Sequence, residues 1–291
     1  MDATLWQYYR ARKTARNMIE GTISQQYAML GDYCAELLRM NPGIYFCLTA
    51  LKRGWTNGCR KIIGLDGCFV KVFHKGQLIT TVGVDPNNQM YPIAYAVVEA
   101  KTRETWYWFL ENLQSNLQLH NSHGVAWITD KQKGLIDAIS ELFPHSEHRY
   151  CPKNLHNNFK VKHKGLLLKQ TFWATVKSTT TQRFEQNMET IKLNSVDAYE
   201  WLAKKHPSHW SRAFFQFYPK CDMVCNNICE AFNFAIISAR DKPIITLLEM
   251  IMNYLMKRLT RKREEVSKWT HPVGPKVFKF MEKVKLETAI C

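Results

Sequence analysis

Lys61-Ile-Ile-Gly-Leu-Asp66-Gly-Cys-Phe-Val70 is an apolar, strand-like run with an aspartate set near its end. A second run, Gly124-Val-Ala-Trp-Ile-Thr-Asp130, closes on an aspartate in the same way and leads directly into a helical pattern. A glutamate, Glu230, then falls inside the helical pattern Asn226-Asn-Ile-Cys-Glu-Ala-Phe-Asn233. Two-metal phosphoryl transfer needs acidic oxygens brought by rigid elements to a pair of cations roughly 3.5–4 Å apart. Two strands and a helix carrying Asp66, Asp130 and Glu230 meet that need. Nuclease or polynucleotidyl transferase chemistry is therefore the expectation.

Outward from the first run, the spacing predicts Ile62–Val72 as a strand, a His-Lys-Gly turn at 74–76, and a strand over Gln77–Val84. The turn signal Asp85-Pro-Asn-Asn88 precedes a third strand, Tyr91–Glu99. Thr105–Leu119 reads as an amphipathic helix with Trp106, Phe109, Leu110 and Leu113 on one face, and both Trp106 and Trp108 read as core. A short buried strand reaches Asp130, Lys133–Phe143 is the next helix, and His148–Cys151 is a fifth strand. That order matches the ribonuclease H-like architecture, an α/β fold with a mixed five-stranded sheet. Its first and fourth strands are neighbours, which would bring Asp66 beside Asp130.

The rest of the chain is helical in pattern. Residues 154 to about 220 read as a helical insertion, with Trp173, Phe184, Met188, Ile191, Tyr199, Trp201, Leu202 and Trp210 as its core. Upstream, Arg10, Arg12, Lys13 and Arg16 form a basic helix face. Tyr27, Leu30, Tyr33, Leu37 and Leu38 recur at helical spacing until Asn41-Pro42-Gly43 stops them. Lys257, Arg258, Arg261, Lys262 and Arg263 make a second basic face near the carboxyl terminus. The expected organisation is an amino-terminal helical region at 1–60, a core with flanking helices at 61–256, and a basic helical tail at 257–291.

An apolar fraction of 46% and an aromatic fraction of 12% exclude general disorder. The net charge of +15 points to a polyanionic partner, nucleic acid before a membrane surface. Charge alone does not decide it. The nine cysteines are odd in number and scattered, and Met1–Gly21 has no apolar segment of the secretory kind, so free thiols in a reducing compartment are expected. Ile244–Met256, the most apolar helix, is too short to span a bilayer.

At three blocks the chain resembles a known family. Gly58-Cys-Arg-Lys-Ile-Ile-Gly-Leu-Asp-Gly-Cys-Phe-Val-Lys71, Ile128-Thr-Asp-Lys-Gln-Lys-Gly-Leu-Ile136, and Asn226–Asn233 with Ala239-Arg-Asp-Lys-Pro-Ile244 resemble the catalytic blocks of plant Mutator-like element (MULE) transposases. Asp85–Ala94 and Trp106–Leu110 look like that family too, so the resemblance runs from about residue 5 to residue 260. It implies a DDE core with Asp66, Asp130 and Glu230 holding Mg²⁺ or Mn²⁺, DNA as the partner, no small-molecule substrate, and a nuclear location. Self-association into a homo-oligomer stays open. Asn154 stands where the family usually has the histidine of a Cys-x-x-His pair begun by Cys151, with His156 two residues on. The family's amino-terminal DNA-binding region and carboxy-terminal SWIM-type zinc finger are not visible, so the expectation is a truncated core. The alternative is a catalytically inactive DNA-binding or regulatory protein, of the kind the FAR-RED IMPAIRED family of plant transcription factors exemplifies.

Each residue also has a plainer reading. Asp66 alone could cap a turn, Asp130 could cap the helix beginning near Gln132, and Glu230 could be solvated. Their joint occurrence in order favours the metal site. Cys151, His156, Asn226, Asn227 and Asn233 are candidates to position it. Cys221, Cys225 and Cys229 at helical i, i+4, i+8 spacing suit apolar packing better than zinc. Arg60, Lys61, Lys71, Lys131, Lys133 and Arg149 are the candidate DNA contacts, since a cationic rim around carboxylates would hold the phosphodiester backbone.

Overall fold

Strand alternation sorts the apolar residues of this chain onto two faces of one sheet. The computed structural model describes residues 5–20, 25, 45–71 and 76–288. Helix α1 (Leu5–Glu20) is followed by α2 (Thr49–Gly58), then strands β1 (Arg60–Phe69), β2 (Gln77–Val84) and β3 (Met90–Val98). Helix α3 (Arg103–Leu117), β4 (Ala126–Thr129), α4 (Lys133–Leu142) and β5 (Glu147–Tyr150) complete the sheet. Its order is β3-β2-β1-β4-β5. β1 to β3 form an antiparallel meander, while β4 pairs parallel to both β1 and β5. This is the ribonuclease H-like sheet the sequence pattern anticipates.

Ile63, Leu65, Ile79 and Trp127 are buried with Trp106, Phe109, Leu110 and Leu113 of α3 and Leu135, Ala138 and Ile139 of α4. Cys68, Leu78, Val82 and Tyr95 are buried on the other side with α9 (Asn227–Ala235) and α10 (Ile244–Val266), through Cys229, Phe232, Leu247 and Ile251. Removing this apolar surface from water on both faces drives the three-layer arrangement. Trp106 is core as expected. Trp108 is 37% exposed, turned out at the helix flank with its ring edge-on to Tyr45.

Between β5 and α9 lie α5 (Pro152–Lys162), α6 (Leu166–Lys177), α7 (Thr181–Asn194) and α8 (Val196–Ala203), then two short 3₁₀ turns. They surround their own core of Phe159, Phe172, Val176, Met188, Ile191, Leu202 and Trp210, with Trp173, Phe184, Tyr199 and Trp201 packed against it. The expected helical insertion is thus present.

Two expectations need correction. Helix α10 runs unbroken from Ile244 to Val266, so the boundary expected at 256/257 falls inside one helix; its apolar stripe ends before its hydrogen-bonded backbone does. Within it, Arg258 reaches back to the Met90 carbonyl rather than serving only a solvated face. Lys52 and Arg53 sit in α2. Arg10, Arg12 and Lys13 are exposed on α1. The Arg16 side chain, the apolar set Tyr27 to Leu38 with its stop at 41–43, and the turn at 74–75 lie outside the described residues. Among the described residues, no helix is long and apolar enough to cross a membrane. Helix α11 (Pro275–Thr288) ends the described chain.

Candidate active site at the ends of β1 and β4

The parallel register pairs Ile62 with Ala126, Gly64 with Ile128, and Leu65 with Thr129. One step further along each strand stand Asp66 and Asp130. Side chains alternate across a sheet, and Ile62, Ala126 and Ile128 pack together with Ile228 on the face that α9 covers. Asp66 and Asp130 share that parity. The two aspartates therefore leave adjacent strands at the same end and on the same face. Asp130 is not a helix cap: α4 begins at Lys133, after Gln132.

Helix α9 is locked to β1 by close contact. Gly64 has no side chain, and a Cβ there would lie 2.5 Å from Asn226 Oδ1 and 2.8 Å from Cys229 Sγ. The buried Asn226, just ahead of the helix, donates from Nδ2 to the Leu65 carbonyl at 2.9 Å. One helical stretch further, Asn233 Nδ2 donates to Asp66 Oδ2 at 2.8 Å, and the Gly67 amide donates to Asp66 Oδ1 at 2.7 Å. Both carboxylate oxygens of Asp66 are thereby oriented. Asn227, by contrast, is exposed.

Burial raises the pKa of Asp66; the Gly67 hydrogen bond opposes the rise, Asp130 adds to it, Lys101 opposes it, and Glu230 adds to it. The repulsion from both partners ties the three carboxylates into one electrostatic neighbourhood. Clustered carboxylates disfavour one another's charge, a penalty that a divalent cation removes. Hard oxygen donors on rigid elements also suit Mg²⁺ or Mn²⁺. Asp66 and Asp130 are the residues that could hold such an ion. Glu230 is 53% exposed and forms an ion pair with Lys153 Nζ, 2.7 Å from Oε2 and 2.8 Å from Oε1. Among the described residues, no group of three or more His, Cys, Asp or Glu is drawn together closely enough to share an ion.

Two cations that sequence reasoning missed lie against this site. Lys101 Nζ donates to the Gly67 carbonyl at 3.0 Å, and Lys153 pairs with Glu230. Lys153 could have been flagged, because it opens the helix just past the carboxyl end of β5, where open α/β sheets gather their ligands. Nothing in the local sequence marks Lys101.

The candidate positioning residues divide. Cys151 shares a hydrogen bond with Cys225, which pulls the Cys151 thiol down and pushes that of Cys225 up. His156 packs within the insertion, its ring 5.2 Å from that of Phe172, and burial lowers its pKa, helped by Lys160 and Lys169. The helical spacing expected for Cys221, Cys225 and Cys229 does not hold. Only Cys229 is helical, because α9 starts after Asn226. All seven described cysteines are free.

The candidate DNA contacts divide as well. Lys131 and Lys133 are exposed at the exit of β4, and Lys71 is exposed beyond β1. Arg60 and Lys61 open β1, roughly 16–20 Å from Asp66 at ~3.3 Å per residue. Arg60 bonds the Lys220 carbonyl, while Lys61 caps Thr56 and lies over the Trp55 ring. Arg149 is a correction. It is 0% exposed, forked onto Glu147 at 2.9 Å through both Nε and Nη2, and bonded to the Cys221 carbonyl at 2.7 Å. The insertion covers it, so it cannot touch DNA.

Residues 62–158 match the MULE transposase domain. The MULE segment spans β1 to most of α5, and so contains Asp66 and Asp130 but not Glu230. No curated protein matches the chain. A solved structure, the Mos1 transposase catalytic domain and raltegravir with Mg, aligns over 65% of this chain and 87% of that one, at 17% identity and a TM-score of 0.22. So slight a likeness carries no argument about this chain. The ribonuclease H-like assignment rests on strand order and pairing, and the likeness to transposases is that of the MULE segment at residues 62–158.

Proposed function

We propose that this chain is the DDE core of a MULE-type transposase, of the plant Mutator-like kind, that cleaves DNA and transfers the freed strand. The observation that carries the reading is the exit of Asp66 and Asp130 from neighbouring parallel strands at one end and one face, under the helix that bears Glu230. The MULE match over both aspartates supports it.

The reaction class is attack of water on a phosphodiester phosphorus, releasing a 3′-hydroxyl. Attack of that hydroxyl on a phosphodiester of a second DNA site follows. Divalent cations bound by Asp66 and Asp130, with Glu230 closing the set, would supply activation of the attacking oxygen and neutralisation of the leaving one. The chain's own contribution is position and charge. Gly67 and Asn233 hold the two Asp66 oxygens in fixed directions. Lys101, Lys131 and Lys133 place positive charge beside the carboxylates, where a phosphate backbone would run. DNA as partner and the nucleus as the place of action follow from this reading.

Nicking of supercoiled plasmid in Mg²⁺ or Mn²⁺ tests it. Weak nicking without site choice is expected, lost in Asp66→Asn. Nicking that survives the substitution would assign the chemistry elsewhere. The Lys153–Glu230 ion pair favours a second reading, a DNA-binding protein of transposase descent in which the third carboxylate is already neutralised. DNA binding without any divalent-dependent nicking would select it.

A further inference from the structure

Beyond the carboxylates, a pocket of about 260 Å³ opens between the carboxyl ends of β4 and β5 and the helical insertion. Tyr150 and Trp201 contribute rings to it, Lys131 and Lys205 ammonium groups, and Asn154 and Asn158 amides. Rings and charges are coupled. Lys131 Nζ lies 5.8 Å from the Tyr150 ring centroid, and Lys205 Nζ lies 5.1 Å from that of Trp201. The wall behind Tyr150 is fixed: His209 stacks on it at 4.6 Å, and His209 Nδ1 lies 2.6 Å from the His148 carbonyl oxygen. Asn154 and Asn158 are one turn apart on α5 and so share a face.

Two lining residues neighbour the carboxylate site along the chain. Lys131 follows Asp130 directly, and Asn154 follows Lys153, the partner of Glu230. A DNA duplex cannot enter a space of 260 Å³. One base can, and every base offers a π face to an aromatic ring whatever its sequence. Aromatic faces with cations beside them, and amides free to reach a base edge, are the chemistry by which proteins hold a nucleotide drawn out of the stack.

We propose that this pocket receives one unpaired nucleotide of the DNA strand bound at the carboxylates. Tyr150 and Trp201 stack the base, Lys131 and Lys205 hold its phosphates, and Asn154 and Asn158 bond its edge. The inference rests on the DNA-acting reading above.

Two fluorescein-labelled duplexes of one sequence test it, one fully paired and one carrying a single bulged 2-aminopurine. The full chain should bind the bulged duplex roughly tenfold more tightly, within the range that stacking one base on an aromatic ring provides, and should quench the 2-aminopurine. Trp201→Leu should remove both effects. Trp201 also packs against Phe159, at 5.8 Å between ring centroids, so Asn158→Ala, at an exposed position, serves as the second variant. It should cut the preference several-fold while leaving the melting curve and the affinity for paired DNA unchanged. Equal binding of both duplexes by the unmodified chain overturns the pocket assignment and leaves the DNA reading standing. Binding of neither overturns the DNA reading and this inference with it. A free deoxynucleoside monophosphate that competes as well as the bulged strand overturns the assignment to a strand.

Discussion

Asn233 donates its side-chain amide to Asp66 across the contact between α9 and β1, at 2.8 Å, while its own Oδ1 has no partner. The helix that brings Glu230 thus also aims the first aspartate.

Asp66→Asn should raise thermal stability at neutral pH without divalent ions, while abolishing nicking. A carboxyl whose pKa is higher folded than unfolded binds its proton more readily in the native state. Stability therefore falls as pH rises from the unfolded carboxylate range through the raised folded value. At neutral pH the ionised Asp66 costs stability, and the amide does not. Asn233 can turn its amide so that Oδ1 accepts from the new Asn. The gain over the unmodified protein should shrink as pH is lowered toward and below the raised pKa. Melting curves in EDTA across that range measure it, and a variant less stable at neutral pH would contradict the burial argument.

Gly64→Ala should loosen α9 from β1. The added methyl meets Asn226 Oδ1 and Cys229 Sγ, neither the end of a long flexible chain. Overpacking of this kind costs about 1–3 kcal/mol. Urea unfolding should show a lower midpoint, and nicking should fall more than folding does, because Asn226 and Asn233 move together.

Lys153→Ala should lower the Mn²⁺ concentration that half-saturates stabilisation of the protein. The lysine neutralises Glu230 in the absence of metal, so it competes with a cation for the same oxygens. Both side chains are well exposed, so little stability should be lost. A higher Mn²⁺ requirement would mean that Lys153 instead holds Glu230 in place.

Arg149→Met and Lys131→Ala should separate structure from DNA binding. Arg149 is buried against Glu147 and two carbonyls, and removing one partner of a buried pair costs about 3–5 kcal/mol. Lys131 is exposed, and its loss should leave the melting curve unchanged while lowering the salt slope of DNA binding by roughly one unit. Filter-binding titrations over a salt series would decide between these roles.

The sheet was legible because its strands alternate and its turns carry Asp-Pro-Asn-Asn. Gln77–Val84 was found to the residue, and β1 and β3 to within three. Asp66 and Asp130 were legible for the same reason: each closes an apolar run, and parallel neighbours bring such ends together. Arg149 misled because β5 is an edge strand, and no local pattern says whether an edge is open or covered. Glu147 two residues earlier, on the same strand face with opposite charge, was the available hint. Cys221 and Cys225 misled because a four-residue spacing carries no information about where a helix starts; Asn226, a preferred residue just before a helix, marks it. Lys101 reaches Gly67 through tertiary packing alone, which no single-sequence pattern records.

The insertion is moored to the sheet at separate points, one of them His209, which stacks on Tyr150 and lies 2.6 Å from the His148 carbonyl oxygen. Arg149 ties β5 to the carbonyls of Cys221 and Met223, and Asn226 ties the start of α9 to Leu65. Closing a longer loop costs little more than closing a shorter one. Residues between these moorings can therefore be added or lost, and the segment can diversify in what it recognises, while the span across which the carboxylates face one another stays constant.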